Sequence, residues 1–133
     1  MRVTEFTAKE LAQLERVRTI CLRLPDAEEA IKWGHPNFLA RGKIFCGFGR
    51  EGGIATLGMK TTPLRQAELV ASGRYYVAPY VGRFGWVSHP FTGRVRWKEL
   101  RELIEESYQL LVPRRGRTPT PSRRRQSPGS AQS

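Results

Sequence analysis

The chain has 133 residues, 39% of them hydrophobic and 10% aromatic, and carries a formal net charge of +11. This length suggests one domain, and the apolar content is too high for a wholly disordered chain. No apolar run approaches the roughly 18–20 residues that cross a bilayer, and the start Met1-Arg2-Val3-Thr4-Glu5-Phe6 is too polar for a signal peptide, so a soluble, cytoplasmic protein is expected.

Thr7-Ala8-Lys9-Glu10 has the pattern of a capping box, with Phe6 and Leu11 placed for a hydrophobic staple. Leu11, Leu14, Val17, Cys21 and Leu24 then recur every three or four residues, which predicts a helix with one buried stripe, stopped by Pro25. Short strands are expected at Ala30–Trp33 and Asn37–Ala40, flanking Gly34-His35-Pro36. Arg41-Gly42 turns the chain into a strand at Lys43–Phe48, and Arg50-Glu51-Gly52-Gly53 turns it again into Ile54–Met59. An antiparallel meander follows from this order.

Thr62 and Pro63 open a second helix with Leu64, Ala67, Leu69 and Val70 on a modest apolar side, ending before Gly73. Between Arg74 and Phe91 there is too much Gly and Pro for a helix, so a loop at Pro79–Gly82 and a strand at Gly85–Ser88 are expected. Trp97, Leu100, Leu103, Ile104, Tyr108 and Leu111 line one face of a last helix, away from Glu99, Glu102, Glu105 and Glu106. Residues 1–112 therefore form the domain, and 113–133, rich in Pro, Arg and Ser, form a disordered basic tail.

The ordered motifs resemble those of the MmcQ/YjbR-like family of small bacterial proteins. They are Leu22-Arg23-Leu24-Pro25, Lys32-Trp33-Gly34-His35-Pro36-Asn37-Phe38, Gly42-Lys43-Ile44-Phe45, Lys60, Pro79-Tyr80-Val81-Gly82, Gly85-Trp86-Val87 and the run from Leu100 to Tyr108. The resemblance covers about residues 10–112. It implies an α+β fold of the double-wing, CyaY-like kind, with helices on one side of an antiparallel sheet, and a DNA-binding role.

Charge is segmental. Residues 30–98 hold 11 basic and 2 acidic groups, a net +9, whereas 1–29 and 99–112 are net −1 and −3. Such asymmetry suggests a polyanion-facing surface, with Arg41, Lys43, Arg50, Lys60, Arg74, Arg83, Arg94 and Arg96 on phosphates. The alternative is a non-enzymatic small-molecule or protein-binding domain, with a pocket built from Trp33, His35, Pro79, Tyr80 and Trp86.

Other signals read more plainly. Gly47-Phe48-Gly49-Arg50-Glu51-Gly52 matches a dinucleotide fingerprint, but a strand rather than a helix follows it, so a hairpin turn is the reading. His35 and His89 with Cys21 and Cys46 have no zinc spacing, the cysteines sit in apolar runs as buried thiols, and no nucleophile adjoins a base. No cofactor, no metal, no enzymatic activity and a monomer are expected.

Overall fold

Helix α1 (Ala8–Cys21) begins at the predicted capping box: the Thr7 amide donates to Glu10 Oε1 (2.9 Å) and the Glu10 amide donates to Thr7 Oγ1 (3.1 Å). In this computed structural model, which describes residues 6–113, the cap is also tied to the sheet. Arg50 donates to both oxygens of Glu10, at 2.5 and 3.1 Å, and holds its carboxyl below the usual range. Leu14, Val17 and Cys21 are buried, but Leu11 is exposed, and Phe6 packs edge-on against Phe48 instead (centroids 5.1 Å apart).

The remaining elements are β1 (Ala27–Lys32), β2 (His35–Ala40), β3 (Lys43–Glu51), β4 (Ile54–Lys60), α2 (Pro63–Ala71), β5 (Tyr76–Val77), β6 (Trp86–Pro90) and α3 (Trp97–Leu111). The strands make one antiparallel sheet in the order β1-β2-β3-β4-β6-β5, with the three helices on one side. This is the expected α+β architecture. All but the first residue of the expected tail lies outside the described residues.

Three successive hairpins turn through two residues that both have positive φ: Trp33-Gly34 (54° and 82°), Arg41-Gly42 (49° and 82°) and Gly52-Gly53 (57° and 82°). Such turns match the right-handed twist of the strands they join. The first differs from expectation. Trp33 is in the turn rather than in a strand, and His35 and Pro36 are strand residues, paired with Lys32 and Ile31. In α2 only Leu69 is fully buried, and Leu64 stays exposed.

The register between β2 and β3 slips at Phe38/Leu39, leaving Phe45 as an extra residue in β3. The bulge puts two consecutive side chains on the helix side. Phe45 meets Tyr108 edge-on at 5.2 Å, and Cys46 lies beside Cys21, both as buried free thiols. The ladder loses bonds at a bulge, and Ser107 of α3 supplies a replacement. Its hydroxyl donates to the Phe45 carbonyl (2.7 Å) and accepts from the Lys60 amide (3.0 Å), while the residue is 0% exposed. Tyr108 adds a bond from its hydroxyl to the Pro25 carbonyl (2.6 Å).

His89 of β6 also faces the helix side, 4.8 Å from the Phe91 ring and 5.4 Å from Tyr75. It is 7% exposed, and its Nδ1 has no hydrogen-bond partner among the described residues.

Two outcomes follow for stability. Replacing Ser107 with Ala orphans a buried carbonyl and amide, and should lower unfolding free energy by about 1–3 kcal/mol in urea denaturation. Burial pushes His89 down to about 4 from 6.5, so the folded state binds fewer protons than the unfolded one between those values. Its stability contribution is complete above pH 6.5 and is lost as pH falls towards 4, by on the order of 3 kcal/mol. His89→Phe should flatten that part of the stability–pH curve.

Candidate functional site

The face of the sheet opposite the helices carries its own chemistry. Register aligns one row across five strands: Asn37 pairs with Gly47, Gly47 with Gly58, Gly58 with Ser88, and Ser88 with Tyr76. Two adjoining glycines thus lie mid-row with polar side chains at both ends, and Gly49 adds a third bare position. These positions have little room for side chains. A Cβ on Gly47 would lie 2.8 Å from Asn37 Oδ1, and one on Gly49 would touch the His35 ring at 3.5 Å.

Above this floor is a cleft of about 510 Å³, bordered by Trp33, His35, Pro79, Val81 and Trp86. Four of the five aromatic-pocket residues read from the sequence are therefore brought together. Trp33, 77% exposed, reaches it from the first hairpin turn, its ring 6.4 Å from that of His35. Tyr80 does not line the cleft and is 98% exposed, at a positive φ of 68°.

The wall formed by residues 78–85 is pinned from several directions. Gln66 donates from Nε2 to the carbonyls of Gly82 (2.8 Å) and Trp86 (3.0 Å), and the Lys60 ammonium donates to the Phe84 carbonyl. Thr61 donates its amide (2.8 Å) and its hydroxyl (2.6 Å) to the Gly85 carbonyl. Gly85 has φ 91°, and a Cβ there would fall 2.2 Å from the Thr61 carbonyl oxygen, so only glycine fits.

Two side-chain acceptors, Asn37 and Glu51, are among the residues that line the cleft. The Asn37 amide donates to the carbonyls of Lys32 (3.2 Å) and His35 (3.0 Å), which turns Oδ1 over Gly47. Glu51 accepts from the Tyr76 hydroxyl (2.5 Å) and from Ser88 Oγ (3.3 Å). Burial, reinforced by the Glu51 carboxylate, pushes Tyr76 up to about 12, so it remains a protonated donor.

Asn37, Glu51, Tyr76 and Ser88 were not among the residues singled out from the sequence. Asn37 and Glu51 carry a signal, the two-residue spacing that puts Asn37 on one strand face with His35 and Glu51 on one face with Gly47 and Gly49, whereas Tyr76 and Ser88 carry none. Gly47 to Glu51 is strand, not loop, which removes the dinucleotide reading in favour of a hairpin whose turn is Gly52-Gly53.

The eight basic residues do not share one surface. Arg41 pairs with Asp26 at 2.8 Å and also donates to the Pro113 carbonyl, Arg50 is held by Glu10, and Lys60 caps Phe84. Lys43 is exposed where β3 begins, and the Arg83 guanidinium lies 4.8 Å over the Phe84 ring. Arg74, Arg94 and Arg96 alone converge, around a smaller cavity at the start of α3. Among the described residues, no group of three or more His, Cys, Asp or Glu could hold a metal ion, and no helix is long and apolar enough to cross a membrane.

Three solved structures share this fold. A Deinococcus radiodurans protein with a DUF419 domain matches at 22% identity and TM-score 0.66, over 80% of this chain and 83% of its own. A Bacillus subtilis protein of the DUF1801 family matches at 19% identity and TM-score 0.58, over 80% and 84%. A Pseudomonas syringae protein matches at 17% identity and TM-score 0.57, over 79% and 98%. At these identities the likeness speaks to the fold alone. No curated protein matches the chain significantly. The YjbR family model matches residues 22–110, a span from the end of α1 almost to the end of α3 that takes in every strand and both walls of the cleft, and the chain belongs to that family.

Proposed function

We propose that the protein is a non-enzymatic binding module that takes a flat, nitrogen-bearing ring into the cleft on the uncovered face of the sheet. The observation that carries this reading is the bare floor at Gly47, Gly49 and Gly58 beneath the rings of Trp33, His35 and Trp86. Bare backbone between aromatic walls makes a slot, and a planar ring fills a slot with the most apolar contact. The acceptors Asn37 Oδ1 and Glu51 favour a ring that presents N–H donors, as purines do.

Binding rather than catalysis is favoured because the hydroxyls of Tyr76 and Ser88 are engaged with Glu51, and Tyr76 is held far from ionisation. The competing reading, duplex DNA gripped by basic strands, loses support from Arg41, Arg50 and Lys60, whose charges are used internally. It keeps the three arginines at the start of α3.

Trp33 and Trp86 make the test direct, because a ring entering the cleft should quench tryptophan fluorescence. Adenine and guanine should give saturable quenching, and N6,N6-dimethyladenine, stripped of its exocyclic donors, should bind more weakly. A Cβ at Gly58 would meet Trp86 at 3.8 Å and the Gly47 carbonyl oxygen at 3.9 Å, both ordinary contacts, so Gly58→Val should fill the slot with the fold intact and weaken binding by roughly tenfold or more. Absence of saturable quenching by these rings, or equal affinity in the Gly58→Val protein, would exclude the reading.

A further inference from the structure

A second concavity, of about 170 Å³, lies where the segment after α2, the end of β6 and the start of α3 meet. Three guanidinium side chains border it, Arg74, Arg94 and Arg96, with Glu99 the one acid in its lining. That acid is already satisfied. Arg74 donates to both its oxygens (3.2 and 2.7 Å), and the Tyr75 hydroxyl donates to Oε1 (2.9 Å). Arg94 and Arg96 form no salt bridge among the described residues.

Two further features point to a missing partner. The first turn of α3 has no side-chain cap, since Arg96 occupies the N-cap position without a capping bond. Trp97 and Lys98, which open the helix, line an adjoining recess with the same three arginines, where the helix dipole favours an anion. Independently, His89 lines the cavity, is more than nine-tenths buried, and has an Nδ1 without a hydrogen-bond partner among the described residues. An orphaned buried ring nitrogen costs about 1–3 kcal/mol unless something bonds to it.

We infer that this cavity is a binding site for a tetrahedral oxyanion of the phosphate type, held by Arg94, Arg96, the first amides of α3 and Nδ1–H of His89. Guanidinium forks match such oxygens two at a time. A neutral imidazole adds a donor without adding charge, and Glu99 already engages the Arg74 guanidinium. The site is separate from the sheet-face cleft and does not depend on what that cleft binds. The phosphate could be free or part of a nucleic-acid backbone, and the two sources are distinguished below.

The full chain is titrated with inorganic phosphate against chloride of matched ionic strength at pH 7, and followed by amide and imidazole NMR shifts. Saturable shifts are expected at Trp97, Lys98 and His89 that chloride does not reproduce. Arg94 and Arg96 are exposed, so a double Arg94→Ala/Arg96→Ala protein should fold normally and bind phosphate roughly tenfold more weakly or worse. In a second arm both proteins are titrated with a labelled DNA duplex at matched salt, the tail arginines being common to both. A parallel loss of DNA affinity assigns the phosphate to a nucleic-acid backbone, and unchanged DNA affinity assigns it to a free phosphate. Non-saturable shifts, shifts reproduced by chloride, or phosphate binding retained in the double variant would overturn the site. A fall in DNA affinity without saturable phosphate binding would overturn it as well, because loss of two surface charges then explains the fall.

Discussion

One extra residue in β3 organises the rest of the molecule. Strands alternate their side chains between faces, so without the bulge at Phe45 every later position in β3 would change sides relative to Ile44. Phe48 would then leave the core, and Gly47 and Gly49 would leave the open face. A bulge of this kind is unstable when the groups it unpairs are buried. The Ser107 hydroxyl meets that requirement from the opposite layer, bonding both the Phe45 carbonyl and the Lys60 amide. Helix α3 therefore does more than cover the sheet, because it fixes the register on which the cleft depends.

The consequence on the far side is an unusual floor. Central strand positions normally carry β-branched or aromatic residues, and glycine there weakens a strand. Gly47, Gly49 and Gly58 accept that weakness in the middle of the sheet, flanked by long ladders and pinned by Gln66, Thr61 and Lys60 at the wall. Part of the reason lies in the protein itself, because Asn37 and the rings of His35 and Trp86 come close to these positions. Glu51 and Ser88 line the cleft with Trp33 and Trp86, and Glu51 is held there by bonds from the Ser88 and Tyr76 hydroxyls.

Much of this was legible in the sequence, and the boundary of legibility is physical. Local signals were dependable: the capping box at Thr7, the glycines of three hairpin turns, Pro63 at the start of α2 and the apolar stripe of α3 all act within a few residues of themselves. Bulky aromatics favour strands, but at Trp33 the two-residue turn geometry overrides that preference. Ser107 gave no signal, since a serine inside a helix is neutral until its partner 62 residues away is known. His89 was similarly silent, because its significance is an absent bond. Of the pocket residues, those beside the sheet converged, and Tyr80 did not because its backbone turns it to solvent.

Charge along the chain does not translate into a single surface, and the reason is alternation combined with pairing. A segment with net +9 reads as one basic surface only if its side chains point one way. Consecutive residues here are divided between the two sides of the sheet. Tyr75 bonds Glu99 beside the arginine cavity while Tyr76 bonds Glu51 in the cleft, and His89 faces the former while Ser88 faces the latter. The short pair β5 and β6 is thus a shared wall between two recesses of opposite character, one flat and acceptor-lined, the other small and cationic. A basic segment folded this way gathers three arginines at the start of α3, with its remaining cations either engaged by Asp26, Glu10, Glu68, Glu106 and backbone carbonyls or spread singly over the surface.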